Sequence, residues 1–184
     1  MTSQIQTEEA RLNPQNGLSQ LANGRYINLF DLQPEDITIE MIAHSISRLC
    51  RYNGQVAGFI SVGMHSLRCM RAAFAAGRYD VALECLCHDF GEAFFGDLVR
   101  PLKNDPPMRD RYLAIETAGE IVIAKMLGFN YPFDPFVKEM DMLDSKLEMD
   151  SERFDPNRWD DIKQTEGDII YWFNFLKERR DRCM

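Results

Sequence analysis

The chain is predicted to be all-α, a compact bundle of about six helices. Three observations predict it. Apolar residues recur at helical spacing along most of the 184 residues; no stretch alternates long enough to build a sheet; and Gly, Pro or Asn-Gly signals separate the periodic segments.

Each element follows from local chemistry. Residues 1–22 are polar, with little apolar periodicity, and read as a mobile N-terminal arm; residues 23–184 read as one domain. Gly24 to Phe30 alternates weakly and suits a short extended segment or two-stranded ribbon. Ile39, Ile42, Ile46 and Leu49 mark a first helix ending near Arg51, where Tyr52-Asn53-Gly54-Gln55 breaks it. A second helix is expected from Val62 to Ala76, stopped by Gly77, and a third from about Asp80 to Phe94. Three prolines make Gly96 to Pro107 an ordered loop. A long helix from about Met108 to Leu127 is closed by Gly128. Another starts at Pro135 and runs past Leu147, and the last begins near Trp159.

Composition narrows the function classes. The 45% hydrophobic content suits a globular core, and the net charge of −8 disfavours nonspecific nucleic-acid binding. No apolar run approaches the roughly 20 residues that span a bilayer. The N-terminus does not read as a secretory signal. Five cysteines without framework spacing fit free thiols in a reducing cytoplasm. A phosphorylated substrate would need a local basic pocket or a metal to overcome the global repulsion.

Three histidines are present: His44, His65 and His88. His88 is followed by Asp89; Glu92 lies four residues on, along the same helix face, and Asp97 follows Gly96. His65 lies early on the preceding helix, which an antiparallel packing brings beside His88. Asp141 is the best further ligand, a carboxylate on an apolar-periodic helix. His44 is expected to be a buried histidine, or one that supports a ligand, rather than a ligand itself, and Arg51 an exposed or capping residue. Cys85 and Cys87 are expected in the core, because alternate helical residues face apart and no second thiol pair has zinc-finger spacing. Met140, Met142 and Met149 are expected to fill core. Tyr171-Trp172-Phe173-Asn174-Phe175 offers either an interface or a core cover.

The run His88-Asp89-Phe90-Gly91-Glu92-Ala93-Phe94-Phe95-Gly96-Asp97-Leu98-Val99-Arg100-Pro101-Leu102-Lys103 resembles that of the HD-domain phosphohydrolases. Val137-Lys138-Glu139-Met140-Asp141 is similar to that family's element carrying the last ligand. Ile42 to Gly54 resembles a bacterial and phage branch close to the 5′-deoxynucleotidases and the small phage dATP triphosphohydrolases. The sequence departs from the pattern at Met64, where the family often has Glu or Gln; at Gln55, where close relatives often have His; and at Met140, where it has Ala.

The resemblance implies a divalent transition metal (Co, Mn, Zn, Fe or Ni) held by His65, His88, Asp89 and Asp141, with a second Mg accompanying a triphosphate. It implies Glu92 and Asp97 as catalytic acids or bases, and Arg48, Lys103 and Asn53 as substrate contacts. The expected activity is metal-dependent hydrolysis of deoxynucleotides, preferentially deoxyadenosine nucleotides: dATP to deoxyadenosine plus triphosphate, or dAMP to deoxyadenosine plus phosphate. The alternative is a nucleotide-binding sensor on the same scaffold, without turnover. A homo-oligomer (dimer or hexamer) in a bacterial or phage-infected cytoplasm, with no nucleic-acid or membrane partner, completes the expectation.

Overall fold

The computed structural model describes residues 17–183. Strands β1 (Leu18–Gln20) and β2 (Tyr26–Asn28) pair antiparallel, with Leu18 opposite Asn28. Residues 18–20, which composition placed in the mobile arm, are therefore tied down by this ribbon; residues 1–16 of that arm lie outside the described residues. The remainder is all-α, as predicted: α1 (Ile39–Ile46), α2 (Val62–Ala75), α3 (Ala82–Cys87), α4 (Glu92–Phe95), α5 (Arg100–Lys103), α6 (Pro106–Leu127), α7 (Pro135–Leu147) and α8 (Ile162–Cys183).

Capping sets the helix starts. Thr38 accepts the Met41 N–H at 3.2 Å, Ser61 accepts that of Met64 at 3.1 Å, and Asp134 accepts that of Phe136 at 2.8 Å. Gly128, left-handed at φ 75°, ends α6. The first helix stops earlier than predicted. Cys50 bridges to Ser61, and the Arg51 N–H donates to the Ile60 carbonyl at 2.9 Å, so extended pairing competes with another helical turn. The long third helix is also interrupted. The N–H groups of Phe90, Glu92 and Ala93 donate three residues back, to Cys87, Asp89 and Phe90, so residues 88–91 form a turn between α3 and α4. The proline-rich stretch holds the short α5, and α6 begins at Pro106, two residues earlier than expected, because proline suits a first helical turn.

Helix α2 is central, packed on α3 and α7, while α8 crosses α1, α2 and α3. Ile42, Ile46, Leu67, Met70, Leu86, Phe90, Ile123 and Ile169 are buried between these helices. Cys85, Cys87 and Met140 join them, but Met142 and Met149 are more than half exposed, so they do not fill core. The C-terminal aromatic segment divides: Phe173 is buried, Trp172 and Phe175 pack against the core, and Tyr171 is exposed. Among the described residues no helix is long and apolar enough to cross a membrane.

Gly58 shows how closely the last third of the chain is drawn in. A Cβ there would lie 1.8 Å from the Arg158 carbonyl oxygen, a backbone atom that cannot swing away. Next to it, Phe59 forms a parallel bridge with Trp159. Gly58→Ala should lower stability by about 1–3 kcal/mol through overpacking, read as a drop in the urea midpoint at unchanged m-value.

Candidate metal centre

His65 projects from α2, His88 caps α3, Asp89 lies in the turn that follows and Asp141 lies on α7. These four residues, named together from sequence, meet in the fold. The two imidazole rings are 5.2 Å apart. His65 Nε2 is 3.5 Å from Asp89 Oδ2 and 3.3 Å from Asp141 Oδ1, and His88 Nε2 is 3.2 Å from Asp89 Oδ2.

The other ring nitrogens fix the tautomers. A carboxylate or carbonyl oxygen only accepts, so His65 Nδ1–H donates to Asp144 at 2.7 Å and His88 Nδ1–H donates to the Cys85 carbonyl at 2.8 Å. Both Nε2 atoms are thereby turned inward, and His88 Nε2 is buried without a hydrogen-bond partner. Two imidazole nitrogens and two carboxylates are a donor set that suits a divalent transition metal.

The charges point the same way. Burial opposes an imidazolium at His88, but Asp89, Asp141 and the Cys85 carbonyl outweigh it and carry the ring up to about 9. Asp89 and Asp141 are each held below the usual carboxylate range against the cost of burial, by His88 and His65 respectively among other partners. Asp144, Glu148 and Glu152 pair with Arg68, Glu148 and Asp89 face Arg51, and Lys138 pairs with Asp141.

Two other groupings of possible ligands are weaker. Cys69 lies 3.7 Å from His65 Nε2 and 3.9 Å from Nδ1, so its thiol is against the ring rather than in line with either nitrogen. Burial and the carboxylates of Asp144 and Asp89 also push that thiol far up. The trio His65, Asp144 and Glu148 is already occupied by Arg68 and Arg51.

Those arginines close a ring that sequence reasoning missed. His65 bonds Asp144; Arg68 pairs with Asp144 at 2.9 Å and with Glu148; Arg51 Nε donates to Glu148 at 2.9 Å; and Arg51 Nη1 lies 3.8 Å from Asp89, which faces His65. Arg51, expected to be exposed or capping, is 8% exposed. The signal was present. Arg68 is three residues after His65, and Asp144 and Glu148 are three and seven after Asp141, one face on each helix.

The remaining sequence candidates divide. Glu92 Oε2 is buried without a partner, and burial, Asp89 and Asp97 push this carboxyl well above its ordinary value. Asp97 Oδ2 accepts the Tyr52 N–H at 3.3 Å and lines a cavity of about 550 Å³ with Arg51 and Asn53. Lys103 donates to Glu116 at 2.7 Å while its charge is felt by Glu92 and Asp89. Arg48 does not join them. Its guanidinium donates to Glu166 at 2.7 Å and to the His44 carbonyl at 2.8 Å, on a separate cavity beside the β-ribbon. The side chain of His44, expected to be buried or to support a ligand, is 41% exposed and faces Glu166 at 3.5 Å, away from the metal centre. Glu120, unnoticed in the sequence, packs where a Cβ on Gly91 would come within 2.6 Å of its carboxylate, so Gly91 allows this approach to the metal-site turn.

No protein-family model matches the chain. It is 30% identical over 121 residues to the uncharacterized protein YfdR of Escherichia coli (strain K12), covering 66% of this chain and 64% of that protein. It is 37% identical over 89 residues to the uncharacterized protein RCAP_rcc00048 of Rhodobacter capsulatus, covering 45% of each. The chain thus spans less than two thirds of the length of either relative.

Asp144 orients His65 without facing the ion position. Asp144→Asn should weaken Mn or Co binding by about 10- to 100-fold, measured by calorimetry, with far-UV circular dichroism unchanged. Glu148→Leu leaves two buried guanidiniums short of a partner and should cost about 3–5 kcal/mol of stability, read from chemical denaturation.

Proposed function

We propose that the chain is an HD-type metal-dependent phosphohydrolase acting on deoxynucleotides, with deoxyadenosine nucleotides preferred. The observation that carries this is the convergence of two inward-facing Nε2 atoms with Asp89 and Asp141, beside the buried, unpartnered carboxyl of Glu92. The preference for deoxyadenosine rests on the resemblance of residues 42–54 alone.

When bound by His65, His88, Asp89 and Asp141, a divalent metal supplies Lewis acidity toward a phosphoryl oxygen. The chain supplies the rest. Glu92 is held in an environment that favours its protonated form, so it can give a proton to the departing 5′ oxygen. Asp97 has one oxygen on the Tyr52 N–H, and the other, without a hydrogen bond among the described residues, can orient water. Arg51, fixed by Glu148 and Ser145, presents a guanidinium to the phosphate. The water oxygen bonds to phosphorus as the bond from phosphorus to the 5′ oxygen breaks; the water's proton leaves to a carboxylate and the 5′ oxygen gains one.

The test is hydrolysis of each deoxynucleoside mono- and triphosphate with EDTA or with Co, Mn, Zn or Mg, followed by ion-exchange chromatography. Metal-dependent release of deoxyadenosine is expected, lost in Asp89→Ala. Glu92→Gln should lower kcat by about 100- to 10,000-fold while metal affinity, measured by calorimetry, is retained. Nucleotide binding without turnover under every metal would replace this reading with a sensor.

A further inference from the structure

Along α8 and the end of α2 runs a row of aromatic rings that the fold only half covers. Tyr79 meets Phe74 edge-on at 5.3 Å between ring centres, Phe74 lies 5.7 Å from Trp172, and Trp172 lies 5.5 Å from Phe175. Tyr171 stacks on Phe175 at 6.1 Å, with the ring planes 13° apart. Tyr79 and Tyr171, at the two ends of the row, are 65% and 60% exposed. Tyrosine and tryptophan left half in water are the residues that anchor protein–protein interfaces.

The charges on the same face decide which partner fits. Trp172 and Phe175 are three residues apart, Asp168 stands four before them and Arg179 four after, so the four share one stripe of the helix. The spacing is the same read from either end, while the two end charges are opposite. Two copies of this stripe laid antiparallel about a two-fold axis therefore set Trp172 against the second copy's Phe175, and Asp168 against its Arg179, each contact occurring twice. At 1.5 Å per residue, the two ion pairs flank the aromatic contact about 16 Å apart.

Both charges are available. Arg179 has no carboxylate partner among the described residues, and its guanidinium rests over the Phe175 ring at 4.9 Å. Asp168 accepts Gln164 Nε2 at 2.7 Å and has the half-exposed Arg71 at 3.5 Å, an exposed kind of pair that holds its partners weakly. Gly167, next to Asp168, has nothing within 4 Å of where a Cβ would lie, so a second helix can come close there. A chain of net charge −8 repels its own copies in general, and self-association needs a face on which charge is matched.

We infer that this face of α8 is a homodimer interface, in which two copies pack antiparallel with Asp168 and Arg179 in reciprocal pairs. The inference does not depend on the hydrolase reading, because these residues neither ligate the metal nor line the cavity beside it.

Sedimentation equilibrium on the full chain over a concentration series measures the association. The wild type should form a dimer that weakens as salt is added. Arg179→Asp places like charges opposite each other at both ends of the stripe, as does Asp168→Arg. Each should raise the dimer Kd by at least about tenfold, with the far-UV circular dichroism of the wild type. Mixing the two single variants restores both ion pairs in a heterodimer, and the double variant restores them in a homodimer, so both should associate again. A wild type that stays monomeric, a dimer that neither single variant weakens, or single variants that mixing does not recover would overturn the inference.

Discussion

An imidazole with no exposed surface must satisfy one nitrogen as a donor and leave the other to a definite use, and His65 meets both demands at once. Its Nδ1 is committed to Asp144, so Nε2 faces Asp89 and Asp141. The commitment is only as firm as Asp144, which Arg68 pins from the side, and Arg68 is in turn held by Glu148. Glu148, fully buried, also takes the Tyr52 hydroxyl and Arg51. Each charge in this ring lies between opposite charges, which is how buried ions keep their desolvation cost tolerable. The packing of α7 against α2, the position of Arg51 and the orientation of His65 are consequences of one closed circuit.

The same circuit explains an otherwise costly backbone. Tyr52 and Asn53 are left-handed at φ 58° and 52°, a conformation that costs non-glycine residues about 1–3 kcal/mol each. Tyr52 is held there by Asp97 on its N–H, Glu148 on its hydroxyl and the Arg51 and Arg153 guanidiniums over its ring. The turn that strain produces brings Asn53 and Arg51 to the wall of the cavity. Glu148 thus supports, through Arg68 and Asp144, the orientation of His65 and, through Tyr52 and Arg51, the loop that lines the cavity.

Much of this was legible in the sequence. Helical periodicity and the Gly128 cap gave the bundle, and the His88-Asp89 run with His65 and Asp141 named side chains that the fold brings together. What escaped had physical causes. A helix end is set by competition with tertiary pairing, which periodicity does not register, so the Cys50–Ser61 bridge and the turn after Cys87 were invisible. Arg48 and Arg51 are three residues apart and chemically identical; only the chain reversal at Tyr52 decides that one meets Glu166 and the other Asp89. Arg100 and Arg153 line one cavity although they are 53 positions apart in the sequence, and no local pattern links them.

The ring has a consequence for how the chain must be assembled. Its links join residues far apart: His65 and Asp144 are separated by 79 positions, and Arg51 and Glu148 by 97. During synthesis, α2 and α3 can pack as soon as they emerge, but Arg68 then lacks its carboxylates, and Arg51 has only Asp89, until residues 144–152 arrive. Contacts of such separation form late because loop-closure entropy must be overcome first. Until then a partly folded chain holds two guanidiniums short of counter-charge, and the carboxylates that make the place a candidate for a cation arrive only as α7 docks.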